Sequence, residues 1–323
     1  MISVTHLSKK YGSFIAVNDL SFEVQPGEVL GFLGPNGAGK TTTMRMITGY
    51  LPPSHGRVSI GGFDLYDHPV QAKRLIGYLP ENPPVYPEMT VRRYLRHVAA
   101  LKDVPASRTA AAVDRAIDKA KLGEVAGKRI GKLSKGFKQR VGLAQAIVHE
   151  PKVLILDEPT SSLDPKQRAE VRELIVGLKG DHTVVLSTHI LPEVSEVADR
   201  VFILNRGTVM AVDTPSNLSI RLRARSIVNV ELALSADQTG TVPGLDLVRA
   251  AFSTFPGVAL AEVSESATGT VLVRLDSDVD LDVRSDAAAL VVGRGWKLLG
   301  LASEALSLEQ IFLRLTVDAD RKE

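Results

Sequence analysis

Hydrophobic and polar residues alternate along the first 24 positions of the chain, in the two runs ISVTHLSKKY and FIAVNDLSFEV. A period of two places the apolar side chains of a strand on one face of a sheet and the polar side chains on the other. The opening segment therefore predicts antiparallel strands.

Short, largely apolar runs alternate further along with longer stretches of helical character, and residues 153–156 are apolar throughout. The apolar runs predict strands buried on both faces, as in a parallel sheet. They are residues 28–33, 153–156 and 183–187. The helical stretches are residues 41–48, 90–101, 107–122, 137–149 and 165–178. Strands that alternate with helices predict an α/β fold with a parallel core sheet.

The pattern changes after Val212. Residues 219–226, SIRLRARS, are basic and poor in large core residues, so we predict a linker there. The order strand, helix, strand, strand, helix, strand beyond it predicts a small α+β domain of ferredoxin-like type. The predicted divisions are a first domain at 1–218, the linker at 219–226, a second domain at 227–316 and a tail at 317–323. Residues 307–315, SLEQIFLRL, are predicted to form an amphipathic helix.

Composition narrows the function classes only slightly. The net charge of +2 gives no case for a nucleic-acid partner, and the absence of cysteine excludes disulfides and cysteine metal sites. No apolar run approaches the roughly 20 residues that span a bilayer, and the start lacks the apolar core of a signal peptide. Any membrane role is therefore expected to depend on a partner.

The charges are divided unevenly along the chain. Residues 226–323 hold 8 Lys/Arg and 15 Asp/Glu, which leaves the first 225 residues basic. A basic half fits a neighbouring anionic lipid surface or acidic partner. Scattered surface charge without a partner fits the same numbers.

A glycine-rich loop follows the apolar strand at residues 28–33. It matches G-x-x-x-x-G-K-[ST] and lies between a predicted strand and helix, the context this phosphate-binding motif requires. Glycines let backbone N–H groups turn toward phosphate oxygens, and the helix N-terminus adds a favourable dipole. We predict that Lys40 reaches the β- and γ-phosphates of a bound nucleotide and that the Thr41 hydroxyl binds Mg²⁺. The loop comprises Gly34, Pro35, Asn36, Gly37, Ala38, Gly39, Lys40, Thr41 and Thr42.

Two carboxylates, Asp157 and Glu158, end the apolar strand at residues 153–156. We predict that Asp157 helps to hold Mg²⁺, as the acid at this place does in other P-loop enzymes. Glu158 is predicted to act as the general base that polarises the attacking water. The loop and the acids together predict an NTPase but leave many NTPase families open.

Leu133-Ser134-Lys135-Gly136-Phe137 resembles the signature motif, usually LSGGQ, of ATP-binding cassette (ABC) ATPases. Ser161 to Asp164 resembles the family's D-loop and His189 its switch histidine, while Tyr11 occupies the position of its adenine-stacking aromatic. The resemblance implies a nucleotide-binding domain with a parallel core sheet, an N-terminal antiparallel β subdomain and a helical subdomain. The implied chemistry is ATP hydrolysis, with Lys40, Glu158 and His189 at the γ-phosphate.

The resemblance also implies a head-to-tail dimer of two copies of this chain. In such a dimer, Ser134, Gly136 and Asp164 of one copy serve the ATP bound by the P-loop of the other. The physical properties of the signature agree, because Ser134 offers a small hydroxyl donor and Gly136 allows close backbone approach. A helix beginning near Phe137 would direct its positive end at the phosphate.

Two departures from the family pattern stand out. Glu81 occupies the position of a glutamine that contacts Mg²⁺ in the family, and it is either a third metal ligand or a displaced, structural residue. Lys135 and Phe137 replace a glycine and a glutamine in the signature, whereas Ser134 and Gly136 are kept.

The segment YLPENPPVYPEMTVRRYL, the signature run and the SLEQIFLRLT ending resemble ATP-binding subunits of ABC type-2 exporters of the gliding-motility and drug-export groups. This implies an integral membrane permease as partner, with the protein peripheral on the cytoplasmic face of the membrane. Residues 80–89 would then form part of the groove for the permease, or else an ordinary surface loop. An importer ATPase and a non-transport ABC ATPase are the alternatives. The first is weakened by the type-2-like ending, and the second by the lack of a second cassette or coiled-coil insertion.

Overall fold

The computed structural model describes residues 1–221, 225–234, 244–253, 258–265, 270–278 and 283–304. The chain divides into two units, Met1–Pro215 and Ser216–Glu323. The domain boundaries predicted from the sequence remain predictions. Two elements enter the range 219–226 that we predicted as a linker: helix α8, Pro215–Arg221, and strand β11, which begins at Arg225. A proline at the first helical position favours a helix start, because its φ is already helical.

The N-terminal strands form an antiparallel sheet, as predicted. Strands β1 (Ile2–Tyr11), β2 (Phe14–Val24), β4 (His55–Ile60) and β5 (Phe63–Asp64) are arranged in the order β2-β1-β4-β5. Tyr11 pairs with Phe14 where β1 turns into β2. This turn brings two aromatic residues to the edge of a cavity over the glycine-rich loop.

The central sheet has six strands in the order β10-β9-β3-β8-β7-β6. They are β3 (Val29–Leu33), β6 (Ile76–Leu79), β7 (Val153–Asp157), β8 (Thr183–Thr188), β9 (Arg200–Asn205) and β10 (Thr208–Asp213). All pairings are parallel except that of β10 with β9. The parallel core is therefore confirmed, and β3, β7 and β8 place their carboxyl ends at one edge.

The rings of Phe22, Phe32 and Phe202 join the two sheets of the first unit. Phe22 lies on β2, Phe32 on β3 and Phe202 on β9, and the ring centroids are 5.3 to 5.4 Å apart. All three side chains are buried, so this aromatic cluster fixes the antiparallel sheet against the central one.

Seven further helices belong to the described part of the first unit: α1 (Lys40–Ile47), α2 (Pro69–Arg74), α3 (Val91–Leu101), α4 (Ala106–Lys119), α5 (Lys135–Ile147), α6 (Pro165–Val176) and α7 (Leu191–Val197). Helices α3, α4 and α5 pack together as a helical subdomain. Helix α5 begins two residues earlier than predicted, because Ser134 caps it. No helix in the described ranges is both long and apolar enough to cross a bilayer.

The second unit contains β11 (Arg225–Ala233), α9 (Leu245–Ser253), β12 (Val258–Glu265), β13 (Val271–Asp278), α10 (Arg284–Gly293) and β14 (Lys297–Glu304). The sheet order is β12-β13-β11-β14, and every pairing is antiparallel. This βαββαβ arrangement, with the first and third strands central, confirms the ferredoxin-like prediction. The helix predicted at 307–315 and the tail at 317–323 lie outside the described residues.

Candidate functional site

The glycine-rich loop runs from the end of β3 into the first turn of α1. Gly37 and Gly39 have φ angles of 83° and 99°, a region that side chains with a Cβ rarely adopt. A Cβ on Gly39 would also lie 2.5 Å from the carbonyl oxygen of Ala16. The loop shape thus depends on glycine, and it turns its backbone toward a cavity.

A cavity of ≈ 300 Å³ lies over this loop. Most of the residues predicted for the site line it: Tyr11, Pro35, Asn36, Gly37, Gly39, Lys40, Thr41, Thr42, Glu81, Glu158 and His189. Phe14, Ala16 and Ser161 complete the lining and were not predicted. Gly34, Ala38 and Asp157 lie in the walls behind it, where all three are buried.

Lys40, Glu158 and His189 form one charged cluster at the cavity. The Lys40 ammonium lies 3.3 Å from Glu158 Oε1 and donates to the carbonyl oxygens of Gly34 and Pro35 at 2.7 and 3.1 Å. His189 Nδ1 lies 2.9 Å from the other carboxylate oxygen, Oε2. Lys40 and Glu158 are buried, whereas the His189 side chain is 44% exposed. The cluster therefore combines a buried cation and a buried carboxylate with a more accessible imidazole.

Asp157 is held beside this cluster by two hydroxyl groups. Ser187 Oγ donates to Asp157 Oδ1 at 2.6 Å, and Thr41 Oγ1 donates to the same oxygen at 3.2 Å. Burial raises the pKa of Asp157, and the nearby negative charges of Glu158 and Glu81 also raise it. The two hydrogen bonds lower it, but they do not outweigh the burial. The surplus of negative charge at this point favours a bound cation.

Ser187 is a site residue that the sequence reasoning missed. It is fully buried on β8, and its Oγ also accepts from the backbone N–H of Glu158 at 3.0 Å. Glu158 has a φ of 48°, an uncommon backbone conformation for a residue with a side chain. Ser187 thus fixes both acids. In the sequence, Ser187 could have been identified as a polar residue near the end of the apolar run VVLST.

Glu81 lies at the rim of the cavity. Its Oε1 accepts from Ser161 Oγ at 3.4 Å, and its side chain is exposed. It also lines an adjoining cavity of ≈ 420 Å³ together with Thr41 and Asp157. Glu81 as a metal ligand remains a prediction.

Two aromatic side chains lie at the other end of the cavity. Tyr11, predicted to stack on adenine, is 49% exposed and carries the Lys9 ammonium 5.4 Å from its ring centroid. Phe14 is 62% exposed and pairs with Tyr11 across the turn. These rings offer apolar area for a nucleotide base. The signal that could have identified Phe14 was a second aromatic residue close to Tyr11 in the sequence.

Ser134, Gly136 and Asp164 do not line the cavity formed by their own chain. Ser134 caps α5, with its Oγ accepting from the Phe137 N–H at 3.4 Å, and Asp164 caps α6 through the Gln167 N–H at 2.9 Å. Both side chains are exposed, while Gly136 is buried against Gln167. The Ser134 hydroxyl keeps its own hydrogen for another acceptor.

The structure accounts for one of the two unusual signature residues. The Phe137 ring lies 5.1 Å from the Arg140 guanidinium carbon, in cation–π contact, and Arg140 is paired with Glu170. Phe137 therefore packs on its own helix. Nothing in the structure explains Lys135.

The strand, glycine-rich loop and helix, with the buried Lys40 paired with Glu158, define a P-loop nucleotide-binding protein. A family model described as "ABC transporter" matches residues 17–161. A bacitracin transport ATP-binding protein of Bacillus licheniformis is 38% identical over 212 residues, which cover 65% of this chain and 68% of the relative. The chain belongs to the ABC transporter family of ATP-binding proteins.

Two further comparisons extend this result. The Nod factor export ATP-binding protein I of Burkholderia pseudomallei (strain 1710b) is 32% identical over 316 residues, which cover 98% of this chain and 96% of the relative. A solved structure of an ATP-binding subunit of an ABC transporter is 31% identical, with a TM-score of 0.63 over 69% of this chain and 93% of that one. The similarity to the Nod factor relative therefore includes the second unit.

Proposed function

We propose that this protein is the ATP-hydrolysing subunit of an ABC exporter and that two copies work beneath a separate membrane permease. The observation that carries the proposal is the cluster of Lys40, Glu158 and His189 on the phosphate-binding cavity. The bacitracin transport and Nod factor export relatives support transport, and the second name states export. The importer and non-transport alternatives have no comparable support.

The chemistry follows from the positions of the three charged groups. Glu158 is the general base, which takes a proton from the water that attacks the γ-phosphorus. Lys40 stabilises the negative charge on the transferring phosphoryl group, because its buried ammonium is already fixed at the loop. His189 orients Glu158 through the 2.9 Å contact and is exposed enough to meet a phosphate oxygen.

Oxygen donors next to the cavity fit Mg²⁺ as a cofactor. Thr41 and Asp157 would hold it, with Glu81 as the proposed third ligand. The ion would neutralise phosphate charge, which is its general role in phosphoryl transfer. In the described part of the chain no three His, Asp or Glu residues form a metal site by themselves, and Mg²⁺ sites in such enzymes use one or two carboxylates with substrate phosphates.

The exposed signature supports the head-to-tail dimer. Ser134 lies at the N-terminus of α5 and outside its own chain's cavity. A helix N-terminus with a free hydroxyl hydrogen fits a phosphate presented by a second copy. We infer that Ser134, Gly136 and Asp164 complete the site of the partner.

The proposed permease groove lies next to residues 80–89. A cavity of ≈ 390 Å³ is lined there by aromatic and apolar side chains that include Tyr78, Tyr86, Tyr94 and Leu101. Tyr86 is 44% exposed, and its ring lies 5.8 Å from that of Tyr94. Such a surface fits a helix of a membrane protein, which would place this protein on the cytoplasmic face of the membrane.

Glu158→Gln tests the proposal most directly. It removes the base but keeps the size of the side chain, so we expect the rate of ATP hydrolysis to fall by ~10²–10⁴. ATP binding, measured by titration calorimetry, should be retained, and ATP should trap a dimer detectable by light scattering. Wild-type turnover in this variant would contradict the role of Glu158. Lys40→Ala is the control for binding and should weaken the affinity for ATP.

The composite site is tested by mixing variants. Ser134→Ala and Lys40→Ala chains, mixed in equal amounts, form dimers with at most one intact site each if the arrangement is head-to-tail. We expect each parent to be inactive and the mixture, if the chains pair at random, to recover about a quarter of the wild-type hydrolysis rate. A mixture as inactive as its two parents would rule the arrangement out, because a site built within one chain cannot be restored by a second chain.

A further inference from the structure

Glu193 is a buried carboxylate that the proposed chemistry does not use. It lies in the first turn of α7 and is 6% exposed. Its neighbours Thr160 and Thr188 are 3% and 0% exposed. A buried carboxylate is costly unless its oxygens are well satisfied, so its presence at this place calls for a physical reason.

Both threonines donate to one oxygen of this carboxylate. Thr160 Oγ1 lies 2.5 Å from Glu193 Oε2, and Thr188 Oγ1 lies 3.2 Å from the same atom. Oε1 is buried without a hydrogen-bond partner in the described part of the chain. An unsatisfied buried oxygen lowers stability, so the arrangement is not optimised for stability alone.

The two threonines belong to the two loops that carry the catalytic pair. Thr160 follows Glu158 by two residues, and Thr188 immediately precedes His189. Thr188 Oγ1 also accepts from the backbone N–H of Ile190 at 2.9 Å, so it fixes the chain on both sides of His189. Glu193 therefore connects the loop after the base to the loop of the histidine.

Helix α7 gives Glu193 a fixed support. Val194 is fully buried against β3, where a Cβ on Gly31 would come within 2.0 Å of Val194 Cγ2. On another side of the helix, Glu196 pairs with Arg172 of α6 at 2.8 Å. The helix is thus held against both β3 and α6, and Glu193 cannot shift easily with either loop.

We propose that Glu193 is a positioning residue for ATP hydrolysis. By holding Thr160 and Thr188 on one oxygen, it keeps the two loops at a fixed separation and thereby maintains the 2.9 Å contact between His189 and Glu158. The proposal rests on the proposed function of that pair. Small displacements of catalytic groups change rates strongly, by about a hundredfold for 1 Å.

The test compares Glu193→Ala with Glu193→Gln in the full-length protein. Alanine removes the shared acceptor, so we expect kcat for ATP hydrolysis to fall by about ten- to a hundredfold, with the ATP dissociation constant within about threefold of wild type. Glutamine keeps an acceptor oxygen for both threonines and should recover most of kcat. A purely structural role would instead lower ATP binding and thermal stability together with kcat. That result, or wild-type kcat in the alanine variant, would overturn the proposal.

A second pair of variants approaches the same contact from the loop after Glu158. Thr160→Val is similar in size but lacks the hydroxyl, whereas Thr160→Ser keeps it. We expect a reduced kcat for valine and a nearly normal one for serine, and these variants decide the question if Glu193→Ala does not fold. Equal rates for valine and serine would overturn the proposal. Glu158→Gln separates the two levels: if it hydrolyses ATP normally, the proposed role of Glu158 fails, whatever Glu193 does.

Discussion

The two units of the chain differ in what they bury. Among the described residues, the buried polar and charged side chains all lie in the first unit, and the nucleotide site and its surroundings contain Lys40, Asp157, Glu158, Thr160, Ser187, Thr188 and Glu193. The described core of the second unit, which includes Val230, Phe252, Leu275 and Trp296, is hydrophobic. Both units use a sheet covered by helices, so the difference reflects function rather than architecture.

Because of this difference, mutations in the two units should have different effects on activity and stability. Buried charges cost stability unless they are compensated, and proteins retain them where chemistry needs them. Substitutions at the nucleotide site should therefore change activity more than stability. Substitutions in the second core should lower stability and leave hydrolysis unchanged.

The largest effect on stability is expected for Phe252→Ala in the second unit. The Phe252 ring is fully buried, and removing a buried ring costs about 3–5 kcal/mol. Trp296 is the only tryptophan of the chain and lies in the same core, so its fluorescence reports the unfolding of this unit selectively. We expect the Trp296 transition to move to much lower denaturant concentration.

Leu247→Ala is the matched control, because Leu247 lies on the same helix but is 47% exposed. It should shift the Trp296 transition by less than about 1 kcal/mol. The rate of ATP hydrolysis should be unchanged in both variants under conditions where the second unit remains folded. If the rate of ATP hydrolysis of Phe252→Ala fell at a lower denaturant concentration than its Trp296 fluorescence changed, the two units would be coupled.

The sequence predicted most of this organisation, because the elements involved have strong local patterns. Apolar runs predicted β3, β7 and β8, and the glycine-rich loop between β3 and α1 predicted the phosphate cavity. The acids Asp157 and Glu158 end β7, so strand direction alone placed them at the same edge of the sheet. These predictions need only periodicity and the parallel arrangement of strands.

The contacts between distant residues could not be predicted in the same way. Ser187 and Glu193 act through hydrogen bonds to residues about 30 positions away, and one sequence carries no record of such pairs. The start of α5 was predicted two residues late, since the capping role of Ser134 was overlooked in favour of its role toward phosphate. The α8 helix was missed because the basic run SIRLRARS, which begins within it and continues beyond it, outweighed the signal from Pro215.

Acidification should lower the stability of the first unit more than that of the second, because all seven histidines lie in the first unit. Burial, with the nearby charge of Lys102, lowers the pKa of His149 to about 4, and its Nε2–H donates to the Ile76 carbonyl at 3.1 Å. The histidine stays neutral in the folded state while the unfolded chain takes up a proton below pH ~6.5. Stability is therefore complete above that pH and is lost as the pH falls toward 4.

For His149 alone the loss is about 2 kcal/mol between pH 7 and pH 5 and about 3 kcal/mol by pH 4. His149→Gln keeps a donor for Ile76 but does not titrate, so its unfolding free energy should depend less on pH over this range. His55→Gln, at an exposed position, is the control and should behave like wild type. Far-UV circular dichroism in denaturant follows both units, and the transition that Trp296 fluorescence does not report is that of the first unit. An unchanged pH slope of this transition in His149→Gln would refute the assignment.

The smallest effect is expected at Asp157, where the charge itself opposes folding. Burial raises its pKa, so the folded state disfavours the ionised carboxylate. For an acid with a raised pKa, stability falls as the pH rises from the unfolded value of ~3.9 through the folded value, and the full cost is present above both. Asp157→Asn removes the charge but keeps an oxygen that can accept from Ser187 and Thr41.

We therefore expect Asp157→Asn to raise the melting temperature of the first unit at pH 7 by a few degrees, or about 1 kcal/mol for a domain of this size. The gain should shrink as the pH is lowered, because the wild-type carboxyl then also becomes neutral. The Trp296 transition should not move, which identifies the effect as local to the first unit. A variant less stable than wild type at pH 7 would mean that hydrogen bonds to the ionised carboxylate outweigh its burial. A gain in stability together with a loss of hydrolysis would show that this unit retains a buried charge for its chemistry, whereas the described core of the second unit contains only apolar side chains.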